Sequence, residues 1–245
     1  MTSSAVEAAA CDGFTGHGRP SPMVADAARA LTPGEALPVP HWRGRLHTWA
    51  FTVALPLGVV LVLFAGHRAA RFAVAVYMGS LTAGFGVSAA YHRLSCSPVA
   101  RRRLRRLDHS LIFVVIAGTY TPVCVLALPE RWGIPLLVVV WAGAVTGIIL
   151  KNVRGTDTAN ALYLLLGWAA VMAIPAIIEH LPVASLVLMV SGGVAYTIGA
   201  VVLFRRRPDP SPRIFGYHEV WHACTVAASA CHFTMVCVLV AATRA

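Results

Sequence analysis

Seven stretches of roughly twenty mostly apolar residues follow one another along this chain, at about 46–65, 72–93, 109–128, 133–150, 159–179, 184–204 and 217–241. A helix of about 20 residues is what the hydrocarbon core of a bilayer requires. Within that core only helices and closed barrels satisfy all their backbone polar groups. The pattern predicts an all-α, polytopic membrane protein, a bundle of seven transmembrane helices. Pro56, Pro122 and Pro175 sit inside the stretches, which neighbouring helices tolerate by satisfying the freed backbone groups. The chain is 58% hydrophobic and only 12% charged, whereas a soluble domain carries about a quarter charged residues. Lipid must therefore be the solvent for much of its surface. The expected location is the cell membrane, multi-pass, with membrane lipids as the first partners. Residues 1–42, rich in Ala, Pro and Gly and without an apolar run, read as a disordered cytoplasmic tail rather than a signal peptide. Residues 43–245 make the membrane domain.

The formal net charge of +10 does not point to nucleic acid, because basic residues on a membrane protein mark its cytoplasmic side and meet anionic head groups. With the N-terminus inside, the inside segments hold Arg19, Arg29, Arg43, Arg45, Arg93, Arg101, Arg102, Arg103, Arg105, Arg106, Lys151, Arg154, Arg205, Arg206, Arg207 and Arg213. The outside segments hold only Arg68, Arg71, Arg131 and Arg244. The bias holds at every loop, so the N-terminus is expected in the cytoplasm and the C-terminus outside. The arginine runs are topology signals. The cysteines, most of them inside apolar stretches and without a CxxC pair, read as small core residues.

Ionisable residues within spans are costly and mark sites. Span two ends in Ser88-Ala-Ala-Tyr-His92, span three begins Leu107-Asp108-His109-Ser110, and span seven begins Tyr217-His218-Glu219-Val220-Trp221-His222. The predicted topology brings all three clusters to one membrane depth, near the cytoplasmic side. His218 and His222, four residues apart, differ by about 40° of rotation and ~6 Å of rise, so both rings face one way and can grip one zinc ion. His92 supplies a third ligand, leaving the fourth position open, the pattern of a catalytic zinc. Ser88, one turn before His92, can hydrogen-bond within the site, and Asp108 brings a carboxylate. His218-Glu219-Val220-Trp221-His222 also fits the HExxH pattern in which the Glu is a general base. No acidic third ligand follows, so Glu219 reads as a supporting or interfacial group. His232, ~15 Å deeper than His222 along the same helix, cannot share that metal and reads as a hydrogen-bonded histidine inside the bundle.

The chain resembles the hemolysin III proteins, the bacterial branch of the progestin and adipoQ receptor family. The matching elements are Ser88-Ala-Ala-Tyr-His92-Arg93, Asp108-His109-Ser110, Ala117-Gly118-Thr119-Tyr120-Thr121-Pro122, Leu162-Tyr163 with Gly167-Trp168, Gly216-Tyr217-His218-Glu219-Val220-Trp221-His222, and His232-Phe233. They run in order from span two to span seven. Residues 1–45 show no resemblance, and the Glu and Asn common before span one in that family are not evident. The resemblance implies a seven-helix bundle with an intracellular N-terminus and zinc held by the histidines matching His92, His218 and His222. It further implies that Asp108 reaches the zinc through water and that Ser88 lies beside the site. Eukaryotic relatives are hormone receptors linked to ceramide hydrolysis, while bacterial members are named for haemolysis.

The leading expectation is a zinc-dependent hydrolase acting on a lipid amide or ester, ceramidase-like, with Asp108 taking the proton of water and Ser88 hydrogen-bonding the developing oxyanion. The alternative is a non-enzymatic protein of membrane homeostasis or sensing, in which zinc ties spans two, three and seven together. A haemolytic or pore-forming role is the third reading. The strongly apolar spans, with no row of charges to line a channel, argue against a wide pore.

Overall fold

The computed structural model describes residues 40–94, 97–154 and 160–244, so most of the expected tail, residues 1–42, lies outside the described residues. Seven helices are long and apolar enough to cross a membrane, and among the described residues the only β-pairing is an isolated bridge between Ser211 and Phe215. The spans are α1 (Arg45–Phe64), α2 (Arg68–Arg93), α3 (Pro98–Leu126), α4 (Glu130–Arg154), a broken fifth span made of α5 (Asn160–Gly167) and α6 (Ile174–His180), then α7 (Val183–Arg205) and α8 (Tyr217–Ala242).

Local chemistry sets the ends. Ser97 caps α3 by accepting from the Ala100 amide at 3.1 Å, and Pro98, which has no N–H to leave unsatisfied, opens the helix. α3 consequently starts eleven residues before the apolar stretch and carries Arg101–Arg106 in its first turns. α2 is capped by the His67 ring, which accepts from the Ala70 amide at 3.3 Å. α1 starts after Gly44, whose φ of 76° is left-handed, a conformation that glycine adopts without a Cβ penalty.

The fifth apolar stretch is not one continuous helix. A 3₁₀ segment, Ala169–Ala173, separates α5 from α6, next to Gly167 and just before Pro175. In lipid a break needs a partner for the backbone groups it frees. Tyr120 on α3 supplies it: its hydroxyl donates to the Gly167 carbonyl at 2.7 Å and accepts from the Ala170 amide at 2.9 Å.

The core is built from Tyr77, Phe113, Val140, Met235 and Val236, all fully buried. Large apolar residues face outward, among them Leu63, Phe72, Val153 and Phe204, as a lipid-facing surface requires. α8 packs along α7 and also touches α1, α2 and α3, so its inner face lies where four other helices meet it.

Candidate metal centre

α2 ends and α8 begins at the same level, and this brings His92, His218 and His222 together. One ring nitrogen from each lies within 4.8 Å of the others. His92 Nε2 and His218 Nε2 face each other at 3.2 Å. The ring centroids are 4.9 Å apart for His92–His218, 5.1 Å for His92–His222 and 4.6 Å for His218–His222. Imidazole nitrogens on one tetrahedral zinc, at about 2.0–2.1 Å from the ion, stand about 3.3 Å apart. The 3.2 Å pair meets that separation, and the whole set closes on an ion with movements of at most about 1.5 Å. Three imidazole nitrogens converging on one point are a ligand set that suits a cation of this kind, and the residues present fit zinc.

Asp108 stands outside this 4.8 Å group. Asp108 lies beside Ser88, a buried residue one helical turn before His92 on α2, so the carboxylate from α3 stands against the helix face that carries His92. Asp108 Oδ2 also lies 3.9 Å from His109 Nδ1, while that nitrogen makes its hydrogen bond to the Arg105 carbonyl at 2.7 Å.

Two residues that the sequence reading passed over belong to the surroundings of the site. His47 on α1 is buried and stacks on His222, centroids 3.9 Å apart and planes 12° apart. Its Nε2 lies 3.0 Å from Thr225 Oγ1. The Thr225 hydroxyl has one proton and donates it to the His222 carbonyl at 2.8 Å, so His47 Nε2 carries the proton of that pair and its Nδ1 is a bare acceptor. The second residue is Arg43. Its Nε donates to Glu219 Oε1, and the other carboxylate oxygen, Oε2, accepts from the Gly216 amide at 2.9 Å. Glu219 has no exposed surface. Both its oxygens are spent on holding the start of α8 and the segment before α1, so Glu219 supports the helix that carries His218 and His222. That segment is held further by His41 and Trp42, whose amides donate to the carbonyls of Arg213 and Ile214. Gly44 completes the fit, since a Cβ there would lie 2.7 Å from the Cβ of His92.

His232 is far down α8 from this site. Its Nε2 donates to the Met189 carbonyl at 3.3 Å, as a hydrogen-bonded histidine inside the bundle.

Comparison with known proteins agrees with the motifs. The family model described as Haemolysin-III related matches residues 37–233. Hemolysin-3 of Bacillus cereus is 32% identical over 191 residues, covering 75% of this chain and 84% of that protein. The Hemolysin-3 homolog of Bacillus subtilis (strain 168) is 30% identical over 200 residues, covering 78% of this chain and 89% of that protein. With seven apolar helices and bacterial relatives of this kind, the chain is a multi-pass cell-membrane protein, and it belongs to the haemolysin-III-related family.

Proposed function

We propose that this protein is a zinc-dependent hydrolase acting on an amide or ester bond of a membrane lipid. The observation that carries the reading is the set of three imidazoles from two helices, with a carboxylate beside Ser88, one helical turn from His92. His92, His218 and His222 would hold the ion. Zinc in such a place makes water acidic near neutral pH and polarises a carbonyl. Asp108 would orient the attacking water and take its proton, then return it to the leaving amine or alcohol. The Ser88 hydroxyl, beside Asp108, would hold that carboxylate in position, and it could support an oxyanion only after turning away from it. On the orientation that the arginines predict, the site lies near the cytoplasmic face, at the depth of lipid carbonyls, which suits a substrate with a polar head and apolar tails.

A second reading is that zinc is structural, pinning α2 to α8, which otherwise touch sparingly. One experiment separates the two. Purified wild-type protein is analysed for zinc and incubated with ceramide and phospholipid vesicles, and products are read by mass spectrometry. Under the hydrolase reading the wild type holds zinc and releases fatty acid, His218→Ala loses both, and Asp108→Asn keeps zinc but loses most of the release. Zinc without cleavage of any lipid favours the structural reading, and a wild-type protein that binds no zinc overturns both.

A further inference from the structure

Polar side chains continue beyond the metal centre along one face of α8. His218, His222, Thr225, Ser229 and His232 are spaced four, three, four and three residues apart. That spacing confines them to about 80° of the helix circumference over ~21 Å of rise. Thr225 and Ser229 are buried. Tyr196 on α7 shares a 2.8 Å hydrogen bond with Ser229, and its ring centroid lies 5.8 Å from that of His232. α7 is shaped around His232: a Cβ on Gly192 would lie 2.3 Å from its Nε2. Tyr77 on α2, fully buried, lies within electrostatic reach of Tyr196 and Cys237.

Among the described residues, four buried side-chain polar atoms have no hydrogen-bond partner: His47 Nδ1, Tyr77 OH, Ser185 Oγ and His232 Nδ1. His47, Tyr77 and His232 stand beside this stripe, and Ser185 shares a face of α7 with Gly192 and Tyr196, which meet it. His47 stacks on the ligand His222. Tyr77 and His232 flank Tyr196. Ser185 lies two residues inside the start of α7, toward the membrane face opposite the metal centre, one turn before the Met189 carbonyl that His232 uses. An unpaired buried polar group costs about 1–3 kcal/mol, and interiors normally resolve it with ordered water. Successive polar positions on α8 are about 5–6 Å apart along its axis, which one water can bridge with two hydrogen bonds of ~2.8 Å. Polar groups that face the interior of a bundle rather than lipid are the usual material of proton relays.

We propose that the seam among α1, α2, α7 and α8 holds a file of ordered water and serves as a path for protons between the metal centre and the opposite membrane face. The hydroxyls of Thr225, Ser229, Tyr196, Tyr77 and Ser185 can each accept a proton on one lone pair while releasing their own, and the bare Nδ1 of His232 accepts at the far end of the file. Nothing is consumed in such a transfer, and the path does not require that the metal centre cleave any lipid.

The test uses the full-length protein in liposomes with an entrapped pH-sensitive dye, potassium and valinomycin to balance charge, and an imposed pH step. Internal pH is expected to relax faster than in protein-free liposomes. Ser229→Val and His232→Leu should each bring the rate down to the protein-free level, while Thr234→Val, on the exposed side of α8, should keep the wild-type rate. Zinc content and elution volume, measured on every variant, separate loss of the path from loss of the metal centre or of the fold. If either blocking variant fails to elute as wild type, Tyr196→Phe replaces it. As a second measurement, X-ray hydroxyl-radical labelling of the wild type should mark Tyr77 despite its complete burial. A wild-type rate equal to that of protein-free liposomes, rates undiminished in the folded blocking variants, or an unlabelled Tyr77 would overturn the proposal.

Discussion

Arg43→Met and Glu219→Gln remove opposite ends of one ion pair, and the structure makes their consequences unequal. Glu219 is completely buried, whereas the Arg43 side chain keeps 24% of its surface exposed. Arg43→Met leaves a buried carboxylate with one remaining partner, the Gly216 amide. Removing one end of a buried pair costs about 3–5 kcal/mol, and the lower end applies here because that amide still donates. Glu219→Gln leaves a neutral amide whose oxygen can still accept from Gly216, and the arginine it abandons can turn to water, so the cost is about 1 kcal/mol. In a domain of this size each kcal/mol shifts the midpoint by about 2–4 °C. Arg43→Met should therefore lower the apparent Tm by roughly 10 °C and Glu219→Gln by about 3 °C. The double variant should regain most of the Arg43→Met loss, because no charge is left unpaired. The assay is thermal unfolding in detergent followed by a thiol-reactive dye at one scan rate. Lipid cleavage measured in parallel carries a second consequence: a carboxylate that only holds the helix start can be neutralised with most turnover retained, whereas a general base cannot. Glu219→Gln more damaging than Arg43→Met, no recovery in the double variant, or loss of cleavage on Glu219→Gln with zinc retained would each refute the reasoning.

Two further outcomes follow from single side chains. Tyr120→Phe removes both hydrogen bonds that bridge the break in the fifth span, and the loss of about 2 kcal/mol should lower the apparent Tm by about 5 °C and quicken amide exchange at Gly167–Ala170; an unchanged exchange rate there would contradict the bridging role. His47→Phe keeps an aromatic ring against His222 and should leave zinc affinity near wild type, whereas His47→Ala should weaken it by about 10–100-fold, read by chelator competition; equal affinities for the two variants would show that the stack does not orient the ligand.

The span count was legible because the bilayer imposes a length and an apolarity that few other folds share, and no long-range contact is needed to read either. The break at Gly167 was not legible. Hydropathy does not register whether an apolar stretch is α or 3₁₀, and the hydroxyl that makes the break tolerable comes from Tyr120, 47 residues earlier in the chain. The three clustered histidines could be found because topology alone brings the end of span two and the start of span seven to one depth. His47 and Arg43 lay at the edge of span one, where a lone histidine or arginine reads as interfacial, and their roles depend on partners at 222, 225 and 219. Only after α1 is docked against α8 does His47 become a stacked neighbour of His222. The polar stripe at 225, 229 and 232 was present in the sequence as a four-three spacing. Thr and Ser within an apolar helix so often satisfy themselves on the preceding turn that spacing alone does not single them out; the unpaired atoms on the facing helices do.

The five-residue pattern from His218 to His222 shows how the position of a helix start decides what a motif does. The two histidines keep their common face wherever the pattern sits on a helix, because four residues always return about 40° from a full turn. The glutamate between them depends on its surroundings. In a helix interior every nearby amide is already bonded to a carbonyl four residues back, and a carboxylate there is left for other work. Here α8 begins at Tyr217 behind Gly216, a residue with no side chain to cap the helix; the Tyr217 amide donates to Asp209 Oδ1, the Gly216 amide is left without a helical partner, and Glu219 is the third helical residue. A glutamate in that position folds back to the free amide before the helix, and the positive end of the helix dipole favours it there. Once turned that way, its other oxygen meets Arg43 rather than the histidine cluster. A chain with the same five letters moved two turns into the helix would release that carboxylate toward whatever the histidines hold. In this protein the carboxylate that stands near the histidines comes instead from a different helix, at Asp108, beside Ser88 one turn before His92.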